Sequence, residues 1–534
     1  MRLYRNCRGL IRYFTKVKRK SLEGDEPWSK TTNQTPTIPV DPKMTSKLAR
    51  KQTQNIIYIT FWSQFASYAL NSIMILFLTR PLYAHGLNYS QAHAYTFMGV
   101  TQATGYLIPI IGGYVADHIL GIRRSILIGS ILLACAYLLV MLSGFTLPYY
   151  GDFLFILAYA LLPMNNALLT GSSSALVANI YADEVIAAKS AMTWYYLSIN
   201  VGSLLAILMV PSLLDSQWGP LSILAITFIG KSIAALNFAS HYSIYQSVIK
   251  NQDLQKFTYK HAVKLCLYFI CVYIFTLFIY THLHLGLRII SIGCTLGILW
   301  FLLQTFALQP PARNKQLIAI VLIIEAIVFF VIYNQMNTTL ILFAEFNSDL
   351  ALFNFHISPA QYQILNPILI ILLGTQLPRF YKKYPQFSIP YQFAGGTLIS
   401  GIGLLIITYA TFHANHGLIN GNYIGLTYIF ISLAELLVSA IGLSMIGLYC
   451  EQSNITFAMG VWYVASSLSN TLSGYLAKFV ALPKTIINPL QSLHIYQHYY
   501  LSMGIVTLIL SVCMWFIAFG LSKNKRLQIS FKAH

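Results

Sequence analysis

Residues 55–78 read NIIYITFWSQFASYALNSIMILFL and form the first long apolar run of the chain. The run is long enough to cross a bilayer as a helix, which takes about 20 mostly apolar residues. Its middle, from Trp62 to Asn71, carries Ser, Gln, Tyr and Asn side chains but no charged residue. Polar groups at this depth need protein partners, because lipid offers none. The run therefore predicts a membrane helix that belongs to a larger bundle.

The composition of the whole chain extends this interpretation. Its 534 residues are 56% hydrophobic and 9% charged, with a mean hydropathy of +0.62. A soluble protein of this size cannot bury so much apolar surface, so lipid must be the solvent for most of it. The formal charge of +19 is concentrated in the first 54 residues and in short loops, which favours membrane topology over nucleic-acid binding. The seven cysteines form no CxxC pair and the histidines lack ligand spacing, so no disulfide framework and no metal site are predicted.

Long apolar runs recur along the chain and predict about 14 membrane helices. The predicted spans are 55–80, 93–118, 124–146, 152–180, 188–213, 221–242, 259–283, 287–309, 316–344, 358–379, 388–412, 422–448, 455–479 and 498–522.

Basic residues in the loops predict the orientation. Those on the side of the N-terminal tail are Arg123, Arg124, Lys250, Lys256, Lys260, Arg313, Lys315, Arg379, Lys382, Lys383, Lys523, Lys525 and Arg526, whereas the opposite loops hold chiefly Arg80, Arg288 and Lys484. By the positive-inside rule, both termini are predicted to be cytoplasmic in a multi-pass protein of the plasma (inner) membrane. The start, MRLYRNCRGLIRYFTKVKRK, lacks the apolar segment of a signal peptide, so a basic tail is favoured over an Arg-rich targeting segment.

The spans fall into a 6+2+6 arrangement. The two helices at 259–309 carry few polar groups in mid-membrane and have basic segments on both sides, as expected of an inserted hairpin. The predicted domains are a basic tail (1–54), a six-helix bundle (55–242), the hairpin (259–309), a second six-helix bundle (316–522) and a short cytoplasmic tail (523–534). Two similar bundles suggest a transporter with its substrate site between them near the midplane.

One predicted cytoplasmic turn has a specific pattern, GGYVADHILGIRRS at residues 112–125. Gly112 and Gly113 allow helices to approach closely, and Asp117 can meet a base or a helix N-terminus. Arg123 and Arg124 hold the loop in the cytoplasm. The pattern resembles the signature loop of the major facilitator superfamily, in which the acid helps to latch the two bundles.

A second pattern, YYLSINVGSLLA at residues 195–206, narrows the resemblance. Asn200 needs a partner in lipid and Gly202 permits tight packing. The segment is similar to one found in the proton-dependent oligopeptide transporter (POT or PTR) family. Further segments resemble that family in the same order: YQILNPILIILLGTQLP (362–378), ELLVSAIGLSMIGL (435–448), NQMNTTLILFAEFNSD (334–349) and MGVWYVASSLSNTLSGYLA (459–477). The resemblance implies the major facilitator fold and proton-coupled import of di- or tripeptides.

The first helix departs from the family pattern. The family carries Glu-x-x-Glu-Arg-Phe-x-Tyr-Tyr there, with acids implied to carry the coupling proton and bases implied to bind the peptide carboxylate. Aligned on Phe65, this chain has Thr60, Ser63 and Gln64 at the Glu, Glu and Arg positions, then Ser67, Tyr68 and, at a later Arg position, Asn71. The fourth-helix Lys falls on Thr170, and a further Glu falls on Asn334. Acids and bases are lost together, as electrostatics requires, because removing one partner of a buried pair costs about 3–5 kcal/mol.

The charges that remain in the membrane are functional candidates. The resemblance implies that Glu435 receives the amino group of a peptide. The candidates for lining the same cavity are Asn366, Asn334, Gln335, Tyr68, Asn71 and Gln64. Lys231 and Glu325 lie outside the family pattern. They are interpreted either as a relocated proton or counter-ion pair, or as groups that pair locally or reach an interface.

Three functions remain open from the sequence. The first is a transporter of peptides or amino-acid-like solutes with altered proton coupling. The second is a uniporter or exporter of an amine or neutral metabolite, and the third is a membrane sensor that does not transport. Asp117 and the glycines favour a protein that moves, and therefore a transporter. The chain has no phosphate loop, nucleophile elbow or paired catalytic carboxylates, so neither an enzyme nor a cofactor is predicted.

Overall fold

The fold is almost entirely helical. A computed structural model of the protein describes residues 42–181, 184–248, 253, 257–374, 376–384, 387–451, 455–483 and 488–523. The helices are α1 (Pro42–Asn71), α2 (Met74–Thr79), α3 (Gln91–Val115), α4 (Ile122–Tyr150), α5 (Phe153–Tyr159), α6 (Leu162–Ile180), α7 (Val185–Met209), α8 (Pro220–Ser240), α9 (Tyr259–Thr281), α10 (Leu283–Phe306), α11 (Ala312–Tyr333), α12 (Thr339–Asn347), α13 (Leu365–Gly374), α14 (Leu377–Lys383), α15 (Ile389–Phe412), α16 (Asn422–Tyr449), α17 (Ile455–Ala477) and α18 (Pro489–Lys523). A two-residue antiparallel ribbon pairs β1 (Ala351–Leu352) with β2 (Phe355–His356).

Each predicted span falls on helical chain, but not all of these helices are strongly apolar. In the described residues, 11 helices are long and apolar enough to cross a membrane, so the predicted number of about 14 stays a prediction. The three remaining predicted spans correspond to α3, to α17 and to the helical stretch Pro359–Gly374. Small and polar residues lower the hydropathy of α3 and α17, because these two helices face each other rather than lipid.

The first predicted span, 55–80, differs from the structure in two respects. Helix α1 begins at Pro42, inside the predicted tail 1–54, whose earlier part lies outside the described residues. Its helical path also breaks after Asn71 and resumes at Met74 as α2. A break inside a membrane span frees backbone carbonyls that need a donor. The Gln363 side chain supplies one, since its Nε2 donates to the carbonyl of Ser72 at 2.9 Å.

Glycines bring the N-terminal half (residues 42–248) against the C-terminal half (residues 312–523). A Cβ built on Gly99 of α3 would lie 3.0 Å from the Cα of Gly474 of α17, so the two backbones are in direct contact. Close to this crossing, Ser467 donates to the carbonyl of Ala103 at 3.0 Å. The hairpin of α9 and α10 packs beside these helices, with α10 against both α3 and α17. The division into two separate bundles remains a prediction.

Loop contacts close the two halves together at one end, which we call the outer end in accordance with the predicted topology. Gln361 donates to the Leu208 carbonyl at 3.0 Å and to Ser212 at 2.9 Å. The amide of Leu482 donates to Gln91 at 2.8 Å. Together with the Gln363 contact, these bonds join the halves at the outer end of the helices.

Candidate functional site

Glu435 of α16 is the acidic centre of a polar cluster in mid-membrane. Its Oε2 accepts a hydrogen bond of 2.6 Å from Nδ2 of Asn366 on α13, and the Tyr333 hydroxyl of α11 also donates to the carboxylate. Asn366 in turn contacts Ser432, one helical turn before Glu435, at 3.1 Å. Asn366 and Glu435 are thus in direct contact, and Glu435 is half-buried; that the two residues share a substrate site stays a prediction.

Tyrosines of the N-terminal half face this carboxylate. Tyr68 of α1, Tyr106 of α3 and Tyr196 of α7 all lie within electrostatic range of Glu435. Their side chains are 37%, 41% and 51% exposed, although Tyr106 and Tyr196 lie in the middle part of long helices and Tyr68 lies just before the break that follows α1. Their proximity to Glu435 places this exposure inside the protein rather than at the lipid surface. The two halves therefore enclose a cavity lined by hydroxyls and one acid.

Most of this tyrosine cluster is not predicted from the sequence. The predicted cavity residues include Tyr68 but not Tyr106, Tyr196 or Tyr333. Composition cannot reveal such a cluster, since its members come from four helices distant in the sequence. To predict the cluster from the sequence, one would have to show that these tyrosines lie on the faces of their helices that point to one cavity.

The remaining predicted cavity residues differ in how far their side chains are exposed. Asn71 is exposed at the break in α1, and Gln64 is half-buried. Asn334 is 7% exposed, and its Nδ2 is itself buried and has no hydrogen-bond partner within the described chain.

Gln335 is a correction to the predicted set. It is fully buried, and its Nε2 donates to the Val331 carbonyl and to Ser473, both at 2.9 Å. Its Oε1 accepts from Thr339 at 2.8 Å and from Tyr499 at 2.9 Å. Gln335 thus ties helices together in this conformation, and its amide group is engaged by protein instead of facing the cavity.

Lys231 of α8 is buried, with 3% of its surface exposed. Its Nζ donates to the Ser63 carbonyl at 2.8 Å, to the Ser63 hydroxyl at 3.0 Å and to the Ser67 hydroxyl at 2.7 Å. The Tyr137 ring of α4 lies with its centroid 5.5 Å from the ammonium. Lys231 thus contacts α1 at Ser63, a position at which the family pattern implies a glutamate.

Glu325 lies on α11 and forms no ion pair with Lys231. The ion pair seen within the described part of the chain joins Arg80 to Asp215 at 3.4 Å. The interpretation of Lys231 and Glu325 as a pair is therefore wrong for this conformation. The alternative that Glu325 reaches an interface is also wrong, because the residue is 4% exposed and its Oε2 has no partner among the described residues.

The signature loop has one tight glycine and one open glycine. A Cβ on Gly112 would lie 2.5 Å from Ala167 of α6, as close helix packing predicts, whereas a Cβ on Gly113 would meet no described atom within 4 Å. Asp117 is exposed and makes no ion pair with the described residues in this conformation.

The two arginines of the loop hold the chain that follows α8. The guanidinium of Arg123 lies over the Tyr242 ring, 4.3 Å from its centroid, and Arg124 donates to the Asp253 carbonyl at 3.0 Å. In α7, Asn200 bonds to the Tyr196 carbonyl at 3.0 Å, while Gly202 brings α7 against the backbone of α1.

Comparisons with known proteins assign the family. The family model described as "PTR2: POT family" matches residues 123–493. The dipeptide and tripeptide permease A of Proteus mirabilis (strain HI4320) is 32% identical over 502 residues, covering 92% of this chain and 99% of that permease. The chain belongs to the POT family. The dipeptide and tripeptide permease B of Photorhabdus asymbiotica subsp. asymbiotica is 30% identical, covering 86% of this chain and 93% of that protein.

Solved structures agree with this assignment. A bacterial homologue of the human drug peptide transporters PepT1 and PepT2 superposes with a TM-score of 0.76 at 26% identity, covering 88% of this chain and 98% of that chain. The crystal structure of tetrameric PepTSo2 gives a TM-score of 0.77 at 26% identity with the same coverage. The expected major facilitator fold of the POT family is confirmed, and with it a multi-pass membrane protein that is a transporter rather than an enzyme.

Proposed function

We propose that this POT-family protein moves di- and tripeptides across the inner membrane by alternating access, with both termini in the cytoplasm. The observation that carries the proposal is the position of Glu435 between hydroxyls from both halves of the chain. A carboxylate held by Asn366 and Tyr333 is a suitable partner for the ammonium group of a peptide. The permeases similar to this chain bear the names of di- and tripeptide transporters, which supports the same substrate class.

The carboxylate end of the peptide would meet neutral donors. Lys231 is buried and already engaged by Ser63 and Ser67, so its ammonium is not available to a ligand in the cavity. The hydroxyl of Tyr106 and the exposed Asn71 are the donors that remain. Neutral donors bind a carboxylate more weakly than a bidentate Arg does. We therefore expect recognition to depend on the amino end of the peptide.

The conformation supports alternating access about this cavity. Hydrogen bonds join the two halves at the outer end, while the central tyrosines remain exposed. This combination corresponds to an inward-facing state. Opening of the outer end would break the contacts of Gln361 and Gln363 with the N-terminal half.

A second candidate follows from the lack of an available cation in the described cavity. A site with one acid and several hydroxyls also fits a small amine, which needs no partner for a carboxylate. In that case the protein would be a uniporter or exporter, and the same acid would carry recognition.

Exchange in liposomes separates the two candidates. Purified full-length protein is reconstituted with unlabelled dialanine inside, and entry of labelled dialanine is followed without any pH gradient. The expected result is exchange that dialanine amide inhibits as strongly as dialanine does, and that N-acetyl dialanine inhibits much more weakly. An absence of dialanine exchange, with exchange of a simple amine under the same conditions, would overturn the peptide proposal and favour the second candidate.

A further inference from the structure

Lys231 is a buried lysine that has hydrogen-bond acceptors but no counter-ion among the described residues. Each of its three ammonium protons has an acceptor at 2.7 to 3.0 Å, namely the Ser63 carbonyl, the Ser63 hydroxyl and the Ser67 hydroxyl. No carboxylate of the described chain lies within ion-pair distance of it. A buried lysine without a counter-ion is costly in its charged form, so a merely structural position would normally be occupied by an apolar residue or a paired one.

The two serines can stabilise both protonation states. A hydroxyl is a donor as well as an acceptor, whereas a carboxylate is only an acceptor. When the ammonium loses a proton, a serine hydroxyl can rotate and donate to the lone pair of the neutral amine. Lys231 can therefore change its charge without leaving an unsatisfied group behind.

The helices that pack against Lys231 offer little else that titrates. Gly230 lies against Ala66 and Trp62, so α1 and α8 are in direct contact beside the lysine. From α4 the Tyr137 ring faces the ammonium, and its hydroxyl is bonded to Ser67. Among the described residues, Tyr137 is thus the other titratable group at this site.

Helix α1 connects this site with the substrate cavity. Ser67, which binds Lys231, is followed directly by Tyr68, which faces Glu435. A change of charge at Lys231 alters how tightly α1 is held to α8, and substrate in the cavity contacts the next residue of the same helix. The two events therefore act on one structural element.

We propose that Lys231 is the residue that takes up and releases the proton that drives transport, with Ser63 and Ser67 as its switchable partners. The lone pair of the neutral amine takes a proton from the outer side to form the ammonium, and the ammonium later returns that proton to water on the cytoplasmic side, which restores the neutral amine. This inference rests on the proposed peptide transport and adds the source of its driving force.

The test compares exchange with accumulation in the same liposomes, using the full-length protein and labelled dialanine. One proton per cycle permits about tenfold accumulation for each unit of inward pH gradient. We expect Lys231→Gln to lower accumulation by about tenfold or more relative to its exchange rate. Ser63→Glu should have the same effect, because a carboxylate at this position would hold the lysine permanently charged. Lys264→Gln, at an exposed lysine of α9, is the matched control and should retain both activities.

The outcomes distinguish this inference from the function on which it rests. If the native protein exchanges dialanine but does not accumulate it under a gradient, the role of Lys231 is refuted while peptide transport stands. If Lys231→Gln or Ser63→Glu accumulated dialanine with the same ratio of accumulation to exchange rate as the native protein, the role of Lys231 would also be refuted. A native protein without exchange would instead refute the proposed function. Should Lys231→Gln fail to fold, Ser63→Glu decides alone.

Discussion

Replacing Glu435 by Gln removes one charge and leaves the shape of the site nearly unchanged. The amide oxygen of Gln can still accept from Asn366, which now donates to the carboxylate at 2.6 Å. A substrate ammonium would lose its charged partner. Two unit charges 4 Å apart attract each other by about 4 kcal/mol near a protein surface, before desolvation is counted. Net contributions of hydrogen bonds to charged groups are about 1.5–3 kcal/mol, which corresponds to a loss of affinity of about 10- to 150-fold.

Competition against labelled dialanine exchange measures this loss for two ligands. Dialanine carries the ammonium and should bind Glu435→Gln about 10- to 150-fold more weakly than it binds the native protein. N-acetyl dialanine lacks the ammonium, so the same substitution should change its weaker affinity by less than about threefold. Glu184→Gln, at an exposed acid, serves as the control. Equal losses for both ligands would show that Glu435 does not contact the amino group, and would refute the reasoning.

Three further predictions concern packing, closure and thiol reactivity. Gly202→Ala should lower the free energy of unfolding by about 1–3 kcal/mol, since its Cβ would lie 2.7 Å from the Phe61 carbonyl; thermal unfolding in detergent measures it. Gln363→Leu leaves the Ser72 carbonyl without its donor and should cost a similar amount, about 1–3 kcal/mol in the same assay. Burial raises the pKa of the Cys450 thiol to about 12. Its maleimide labelling, followed by mass spectrometry, should therefore be slow at pH 7 and rise about tenfold per pH unit.

Each of these predictions has a counterpart that should behave differently. Gly113→Ala meets open space and should not lower the unfolding temperature, so equal losses at Gly113 and Gly202 would contradict the packing argument. Gln376→Leu, on an exposed side chain, should be neutral, and a loss as large as that of Gln363→Leu would argue against the closure contact. Labelling of Cys450 at pH 7 as fast as that of glutathione would contradict the protonated thiol.

The family and the helical spans could be predicted because both depend on patterns within short stretches of the sequence. Periodic apolar runs mark the helices, and motifs such as GGYVADHILGIRRS depend only on neighbouring residues. Even α3 and α17, which are less apolar than the other membrane helices, are predicted as apolar runs of spanning length. The contact of Gly99 with Gly474 explains this composition, since close helix packing replaces apolar surface there.

Features that depend on distant parts of the chain could not be predicted. Whether a glutamine in a membrane helix lines a cavity or fills a helix interface depends on its rotation about the helix axis. Gln335 is fully engaged by protein, whereas Gln363, which is not among the predicted site residues, donates to the free carbonyl at the break after α1. In the same way, the tyrosines around Glu435 become a group only when four helices are placed side by side.

The loss of acids from α1 and the presence of Lys231 are consistent with each other in energetic terms. A pH gradient of two units supplies about 2.7 kcal/mol per proton. A carboxylate at position 63 would attract the Lys231 ammonium by about 4 kcal/mol at a separation of 4 Å, more than such a gradient can overcome. Serine at this position provides hydrogen bonds of 2.8 and 3.0 Å without that attraction. A lysine used as a proton carrier thus requires the acid at position 63 to be absent, which gives a physical reason for one of the substitutions that separate α1 from the POT family pattern.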